Sequence, residues 1–368
     1  MASAPPVTSV GHGGSTQKTT FNIGTRKSKL ALLQTDIVLE ALKKAWPGYE
    51  FNVQSKDTAG DQNTTIALRD FVTKNLWTQE LEELLVAGHL DLIAHSLKGK
   101  RPDCSCMYTS CLSPSLTPLG PSLDVPTLLP PTCALGAIME REDPRDVLVM
   151  KKGLPHSTLA ELPAGSVVGT SSIRRTAQLA LKYPHLKVQD VRGNIGTRLS
   201  KLDAEDSPFT CLILAAAGLL RLGLEDRISQ YLDSKNGGML HAVGQGAIAV
   251  EIRANDNAAI ELLSKIGHEQ TTLACLAERS LLRTLEGGCS APLGVESDWI
   301  QEADGKPKLR MRAIVVSVDG SRSAEAEVTG SVESRTAAEA FGLEVAKELV
   351  AKGAGSILEE IKRNKATS

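Results

Sequence analysis

Apolar positions in the first part of the chain follow two periods, the short runs of a strand and the three-to-four spacing of a helix. Apolar runs predict strands over residues 21–25, 49–53 and 90–94. Helical spacing predicts one helix that ends before Pro47 and a second over 76–87. This order of strands and helices is typical of a mostly parallel sheet covered by helices.

The same alternation starts again after the charged segment 141–145. Three strands are predicted over 166–169, 188–191 and 210–216, and a helix over 172–182. A second α/β unit therefore follows the first.

The pattern changes from about residue 268. A helix ends at Gly287-Gly288, and two strands over 310–318 and 323–332 are joined by Asp319-Gly320, a hairpin signal. Apolar residues at helical spacing then predict a last helix around Phe341. This part of the chain resembles a small α+β domain.

The predicted fold is α/β, with two doubly wound domains similar to periplasmic binding proteins and a small C-terminal α+β domain. A length of 368 residues also suggests two or three domains, because single cores stop growing below that size. The boundaries that we expect are a disordered tail over 1–20, one α/β domain over 21–141 and 244–267, a second over 142–243, and the α+β domain over 268–368.

Composition narrows the classes of function. The net charge is −2 and 3% of residues are aromatic, which argues against nucleic acid and membrane surfaces. No apolar run reaches the roughly 18 residues of a membrane span, and the tail lacks the apolar segment of a secretory signal. Seven cysteines without framework spacing favour a reducing compartment, and none has the spacing of a zinc site. We expect a cytoplasmic protein without a metal.

Basic residues collect where predicted strands end. They are Arg26, Lys98, Arg174, Arg175, Arg192 and Arg198. Strand ends in doubly wound sheets face one crevice, and guanidinium groups suit bidentate binding of carboxylates or phosphates. Ser171 and Ser172 add donors at a helix start. No P-loop pattern is present, so the cluster predicts a site for a carboxylate-rich small molecule. The alternative is a set of solvated arginines with salt-bridge partners.

Cys289 is the second candidate for chemistry. It follows Gly287-Gly288, where the backbone is flexible and a ligand can approach closely. The alternative is a buried structural thiol, the commonest fate of a free cysteine. Cys211 and Cys275 lie in predicted apolar elements, and we expect both to be core residues.

Several segments together resemble porphobilinogen deaminase (hydroxymethylbilane synthase), a family of haem and tetrapyrrole biosynthesis. They are Gly24-Thr-Arg-Lys-Ser28, Thr58-Ala-Gly-Asp61, His95-Ser-Leu-Lys98, Gly169-Thr-Ser-Ser-Ile-Arg-Arg175, Val191-Arg-Gly-Asn-Ile-Gly-Thr-Arg198, Val243-Gly-Gln-Gly246 and Leu285-Glu-Gly-Gly-Cys289. The resemblance implies a transferase that joins four porphobilinogen molecules head to tail, with loss of ammonia, into hydroxymethylbilane. It also implies a monomer whose hinged domains move as the product grows.

The same resemblance implies roles for residues. Cys289 carries a dipyrromethane cofactor through a thioether. The positions that match the family's cofactor site are Arg26, Ser28, Lys98, Ser171, Arg174, Arg175, Arg192 and Arg198. The positions expected to bind substrate are Arg26, Arg174, Arg198, Arg221 and Gln245. Each pyrrole brings acetate and propionate carboxylates, which agrees with the arginine cluster.

The chain departs from the family pattern directly after Lys98. The family has a catalytic aspartate there, followed by an apolar residue, Pro and Thr, whereas this chain has Gly99. The expected continuation appears as Asp124-Val-Pro-Thr127, so residues 99–123 are an insertion of 25 residues and Asp124 is the candidate catalytic carboxylate. Such a carboxylate would stabilise the cationic intermediates that form as ammonia leaves.

Two explanations of the insertion stay open. It is either a loop from which Asp124 returns to the site, or a retained intron that most transcripts lack; we favour the intron. Under both we expect the full chain to be impaired, because a catalytic group must be placed within about half an ångström. Two further alternatives are a non-catalytic anion-binding protein of the periplasmic type and an inactive regulatory isoform.

Overall fold

A computed structural model describes residues 18–56, 79–98, 129–285, 291–301 and 305–366. The strands within these ranges are β1 Thr20–Arg26, β2 Glu50–Lys56, β3 Leu92–Ser96, β4 Cys133–Ile138, β5 Asp146–Met150, β6 Val167–Gly169, β7 Lys187–Gln189, β8 Cys211–Ala215, β9 Gln230–Leu232, β10 Ile248–Arg253, β11 Leu293–Gln301, β12 Pro307–Val316 and β13 Ser323–Gly330. The α-helices are α1 Lys29–Ala45, α2 Gln79–Val86, α3 Ile173–Lys182, α4 Ile195–Asp203, α5 Ala216–Arg221, α6 Asn257–Leu263, α7 Glu269–Thr284, α8 Arg335–Ala351 and α9 Ala354–Ala366.

The strands form two five-stranded sheets of the same design. Their orders are β2-β1-β3-β10-β4 and β7-β6-β8-β5-β9. In each sheet the first three strands are parallel, and the fourth is antiparallel to both neighbours. Half of the strand pairings in each sheet are antiparallel, so the expectation of a mostly parallel sheet is wrong for those pairings. The antiparallel strands are β5 and β10, which the chain enters from the other half of the molecule.

Both faces of each sheet are buried, which confirms the doubly wound class. In β5, Val147 and Val149 pack into one apolar cluster while Leu148 packs into another. In β3, Leu92 and Ile93 likewise belong to different clusters. A strand that is buried on both faces needs helices on both sides of its sheet.

Local sequence signals determine where the first helix, α1, begins and ends. The Ser28 hydroxyl accepts a hydrogen bond from the Ala31 N–H (3.3 Å) and so caps the N-terminus of α1. The helix ends before Pro47, as predicted, and buries Val38 and Leu42 against the first sheet.

The C-terminal part is a three-stranded antiparallel sheet, β11-β12-β13, packed against helices. The predicted pairing across Asp319-Gly320 is confirmed. Leu281 of α7, Met311 of β12 and Phe341 of α8 share one core. The small α+β domain is therefore confirmed as a class.

Two crossover segments connect the two five-stranded sheets. Residues 139–145 lead from β4 to β5, and residues 233–247 lead from β9 back to β10. They run side by side, because the Glu142 N–H donates to the Gly246 carbonyl oxygen (3.2 Å). No helix in the described ranges is both long and apolar enough to span a membrane.

Candidate active site

A buried carboxylate lies at the point where the two crossovers meet the second sheet. Asp146, the first residue of β5, has no exposed surface. Its Oδ2 accepts from Arg174 Nη1 (2.7 Å), and its Oδ1 accepts from Arg175 Nη2 (2.7 Å) and Gln245 Nε2 (2.8 Å). One residue that the sequence analysis did not single out thus brings three predicted site residues together.

Charge keeps Asp146 ionised. Burial alone would raise the pKa of its carboxyl group, but the charges of Arg174 and Arg175 outweigh burial and hold the pKa far below its usual range. The charge of Lys98 acts in the same direction, so Lys98 also lies near this carboxylate.

Arg174 and Arg175 are the second and third residues of α3, which begins after β6. Both are buried, and each donates Nη1 to a carbonyl oxygen, that of Leu240 or Ile213 (both 2.6 Å). Three of their donor atoms, Arg174 Nε and Nη2 and Arg175 Nε, are buried without a hydrogen-bond partner among the described residues. Burial lowers the pKa of Arg174. These donors remain available for an anion.

Arg198 adds a further cation on α4. Its Nε donates to the Gly193 carbonyl oxygen (2.8 Å). Burial, followed by the charge of Arg175, lowers the pKa of Arg198 to about 10. The guanidinium is still charged at neutral pH, and the nearby positive charge increases its attraction for a ligand anion.

Arg192 and Ser171 lie at the edge of the same cluster. Arg192 Nε donates to Asp190 Oδ2 (2.9 Å), and the Ser171 hydroxyl donates to the Val191 carbonyl oxygen (2.5 Å). Both are partly exposed. They are therefore further candidate site residues on the side of the second sheet.

Arg221 and Gln245 connect this cluster to the returning crossover. Arg221, at the end of α5, donates Nη2 to the Gly246 carbonyl oxygen (2.7 Å), and its Nε has no partner in the described part of the chain. Burial lowers the pKa of Arg221. The Oε1 atom of Gln245 is likewise a buried acceptor without a partner there.

Two glycines explain why the crossovers approach so closely. Gly244 and Gly246 have φ of +68° and +89°, a conformation that favours glycine. A Cβ at Gly244 would lie 2.6 Å from the Leu97 carbonyl oxygen, and one at Gly246 would overlap the Glu142 carbonyl oxygen. The segment Val243-Gly-Gln-Gly246 therefore packs against the residue next to Lys98.

The first sheet contributes its carboxyl edge. Arg26 ends β1, Ser28 follows it, and Lys98 follows the parallel strand β3, so all three stand at the same edge. The remaining site predictions lie outside the described residues. These are Asp124, Cys289, the segment Thr58-Ala-Gly-Asp61 and the insertion 99–123.

A second buried ion pair, also missed in the sequence, ties the crossovers to the C-terminal domain. Arg141 donates Nη1 and Nη2 to the two carboxylate oxygens of Glu278 (2.6 and 3.1 Å). Glu278 also accepts from the Gly244 N–H (2.7 Å) and the Ser297 hydroxyl (2.6 Å). Arg141 lies in the charged segment 141–145, where the sequence pattern indicates only the boundary between two α/β units.

The described cysteines are structural. Cys133, Cys211 and Cys275 are free and buried, and burial raises the pKa of each thiol to about 12. A protonated buried thiol is a poor nucleophile. The expectation that Cys211 and Cys275 are core residues is confirmed.

Comparisons with known proteins cover most of the chain. Residues 21–102 and 122–261 match the family model described as porphobilinogen deaminase, dipyromethane cofactor binding domain, and residues 272–351 match that of the porphobilinogen deaminase C-terminal domain. The first match leaves residues 103–121 unmatched.

Individual relatives are similar along nearly their whole length. Porphobilinogen deaminase of Yarrowia lipolytica is 50% identical over 344 residues, 92% of each chain. That of Schizosaccharomyces pombe is 45% identical over 349 residues, 94% of this chain and 96% of the other. Among solved structures, the second substrate binding domain of a putative amino acid ABC transporter from Streptococcus pneumoniae aligns with a TM-score of 0.38 and 13% identity, over 66% of this chain and 90% of that one.

Proposed function

Because the chain belongs to the porphobilinogen deaminase family, we propose that its cluster of buried and partly buried arginines binds the carboxylates of pyrroles for hydroxymethylbilane synthesis. The enzyme is a transferase that joins four porphobilinogen molecules head to tail and releases ammonia. The observation that supports the site most strongly is the set of buried guanidinium donors around Asp146 that have no partner among the described residues. Family membership favours this enzyme over the non-catalytic anion-binding protein.

The family's cofactor is dipyrromethane, and it fits the buried guanidinium donors that have no partner among the described residues. Its pyrroles carry carboxylates, and the Nε and Nη2 atoms of Arg174 form a bidentate fork that suits one carboxylate. When bound, dipyrromethane supplies the pyrrole carbon to which substrate is joined. We assign its binding to Arg26, Ser28, Lys98, Ser171, Arg174, Arg175, Arg192 and Arg198, with Cys289 as the covalent attachment.

The substrate would use an overlapping set of side chains. We assign porphobilinogen to Arg26, Arg174, Arg198, Arg221 and Gln245. The arginines hold its carboxylates and fix the ring's orientation, which lowers the entropic cost of bringing reacting carbons together. The Oε1 atom of Gln245 is a buried acceptor that suits an N–H donor.

Asp124 is our candidate for the catalytic carboxylate. Without residues 99–123 it would directly follow Lys98, at the edge of the first sheet from which Lys98 acts on Asp146. A carboxylate beside these cations would stay ionised and could stabilise the positive charge that develops as ammonia leaves.

Packing on either side of the insertion supports the proposal that it is dispensable. Leu97 and Leu129 belong to the same apolar cluster, although 31 residues separate them in sequence. After removal of 99–123, five residues (124–128) would connect Lys98 to Leu129 and could reach roughly 20 Å. The unmatched residues 103–121 fall inside the proposed insertion. We propose a retained intron and an impaired full chain.

Intact mass of the purified protein tests the proposed function. We expect a chain that lacks 99–123 to carry two covalent pyrrole units and to convert porphobilinogen to hydroxymethylbilane. The Cys289→Ala variant should lack the added mass, whereas Cys133→Ala, which changes a buried structural thiol, should keep it. A shortened chain with neither the added mass nor turnover would contradict the proposal.

We further propose a cytoplasmic monomer whose partner is the small molecule porphobilinogen, without a nucleic acid or membrane partner. The support is the net charge of −2 and the seven cysteines without framework spacing. The domain boundaries given above are also a proposal, supported by the division of the strands among three sheets. Sedimentation at micromolar concentration tests the monomer, and a stable dimer would contradict it.

A further inference from the structure

Both carboxylate oxygens of Asp146 accept hydrogen bonds from side chains that are candidates for ligand binding. Oδ2 accepts from Arg174, and Oδ1 accepts from Arg175 and Gln245, at 2.7 to 2.8 Å. The carboxylate is fully buried, so water does not compete for it. Its three partners come from two directions, since α3 belongs to the second sheet and Gln245 to the returning crossover.

These hydrogen bonds determine which donor atoms of each guanidinium group already have a partner. The Nη1 atom of Arg174 is shared by Asp146 and the Leu240 carbonyl oxygen, while Nε and Nη2 stay without partners in the described part of the chain. In Arg175, Nη1 and Nη2 are both engaged and only Nε is left over. Asp146 therefore sets the direction in which the remaining donors point.

Gln245 is oriented in the same way. Its Nε2 atom donates to Asp146 and to the Pro144 carbonyl oxygen (2.6 Å), which leaves Oε1 as the acceptor without a partner. If the side-chain amide of Gln245 were rotated by 180°, it would present an N–H donor in place of this acceptor. The carboxylate thus also determines the polarity that Gln245 offers.

We infer that Asp146 is a positioning residue for the enzyme, which aligns Arg174, Arg175 and Gln245 so that their remaining polar atoms receive the carboxylate and N–H groups of one pyrrole. The inference rests on the proposed function for the identity of the ligand. Asp146 does not touch the ligand; it acts through the three side chains that it holds.

Equilibrium binding by the full-length chain tests the inference. All proteins carry Cys289→Ala, so that no pyrrole chain can be attached, and the probes are porphobilinogen and inorganic phosphate. Asp146→Asn removes the charge and turns one acceptor into a donor. Asp146→Glu keeps the charge and moves it by one methylene. The matched control is Asp143→Asn, three residues earlier, whose carboxylate pairs with Arg145 (2.6 Å).

We expect Asp146→Asn to raise the Kd of both probes by about 10- to 100-fold, the change in affinity expected when a hydrogen bond to a charged group is lost. Asp146→Glu should show a smaller rise and Asp143→Asn none. Thermal midpoints without ligand are recorded beside the Kd values. A residue with a purely structural role would lower the midpoint and leave the Kd of the folded protein unchanged.

The two probes separate this inference from the proposed assignment of pyrroles to the arginine cluster, which is the part of the proposed function on which it rests. Wild-type-like Kd values in both Asp146 variants would overturn the positioning role while the function stands. If the parent binds phosphate but not porphobilinogen, the proposed assignment of pyrroles to this cluster fails, and the phosphate series still decides on Asp146. Binding of neither probe would overturn both. If Asp146→Asn does not fold, Asp146→Glu decides.

Discussion

At the scale of the residue, buried charge is concentrated where the two crossovers meet. Asp146 and Glu278 are both completely buried, and each pairs with arginine. Arg174 and Arg175 follow β6, as the strand-end rule predicts from where strands stop, and their role in binding stays a prediction. The rule could not identify Asp146, because nothing around that residue in the sequence shows that two arginines and a glutamine from later segments surround it.

Arg174→Lys tests the bidentate fork. A lysine keeps the charge but cannot present two parallel donors. We expect KM for porphobilinogen to rise about tenfold in a chain that lacks 99–123, with a smaller change in kcat. Arg227→Lys is the control, because Arg227 makes its bidentate pair with Asp203, which is not a candidate site residue. Equal KM values in the two variants would argue against the fork.

His241 gives a stability prediction that depends on pH. Burial, followed by the charge of Arg141, lowers the pKa of His241 from 6.5 to about 4. The unfolded chain therefore binds the proton more readily between these values, and stability is lost as pH falls from 6.5 towards 4. The loss attributable to His241 is about 3 kcal/mol.

Urea unfolding at pH 7 and pH 4 measures this loss. His241→Gln should lose about 3 kcal/mol less than the parent between the two pH values, while His89→Gln, at an exposed position, should behave as the parent does. A parent and a His241→Gln variant with the same pH dependence would contradict the assignment.

At the scale of the element, local patterns were sufficient for many helices and strands. The spacing of apolar residues and Pro47 placed α1 correctly, and the turn Asp319-Gly320 placed the hairpin. The direction of β10 was not predictable in this way. Its neighbours β3 and β4 come from more than a hundred residues earlier, and pairing over that distance leaves no local signal.

Gly246→Ala tests the close packing of the crossovers. The new Cβ would combine the strained φ of +89° with overlap of the Glu142 carbonyl oxygen. We expect a loss of about 2–4 kcal/mol in the free energy of unfolding, measured with urea. Gly153→Ala has a similar φ of +85° with nothing within 4 Å of its Cβ, and should lose only about 1 kcal/mol. Equal losses would show that backbone strain alone matters.

At the scale of the whole molecule, the pair Arg141–Glu278 connects the crossovers with the C-terminal domain. Glu278→Gln leaves Arg141 buried without its counter-charge, so we expect about 3–5 kcal/mol of destabilisation in urea unfolding. The control Glu360→Gln breaks the exposed pair with Arg322, which should cost below about 1 kcal/mol. A small loss for Glu278→Gln would mean that the domains are held together by other contacts.

The same scale shows what sequence alone could and could not reveal about the site. Family motifs assigned Cys289 and Asp124, which lie outside the described residues and stay predictions. Leu129 packs against the apolar cluster that contains Leu97, which only the folded molecule shows. This packing indicates that the described residues on either side of the insertion are close in space, which no local pattern in residues 99–123 shows.

We propose that this chain is a hydroxymethylbilane synthase interrupted by residues 99–123. The most direct measurement is the rate of porphobilinogen turnover by the full chain beside that of a chain lacking 99–123, purified in the same way. We predict that the shortened chain forms hydroxymethylbilane and that the full chain is at least about 100-fold slower, since misplacing a catalytic group by an ångström costs this much. Equal turnover by both chains would contradict the claim and would show that Asp124 reaches the site from a genuine loop.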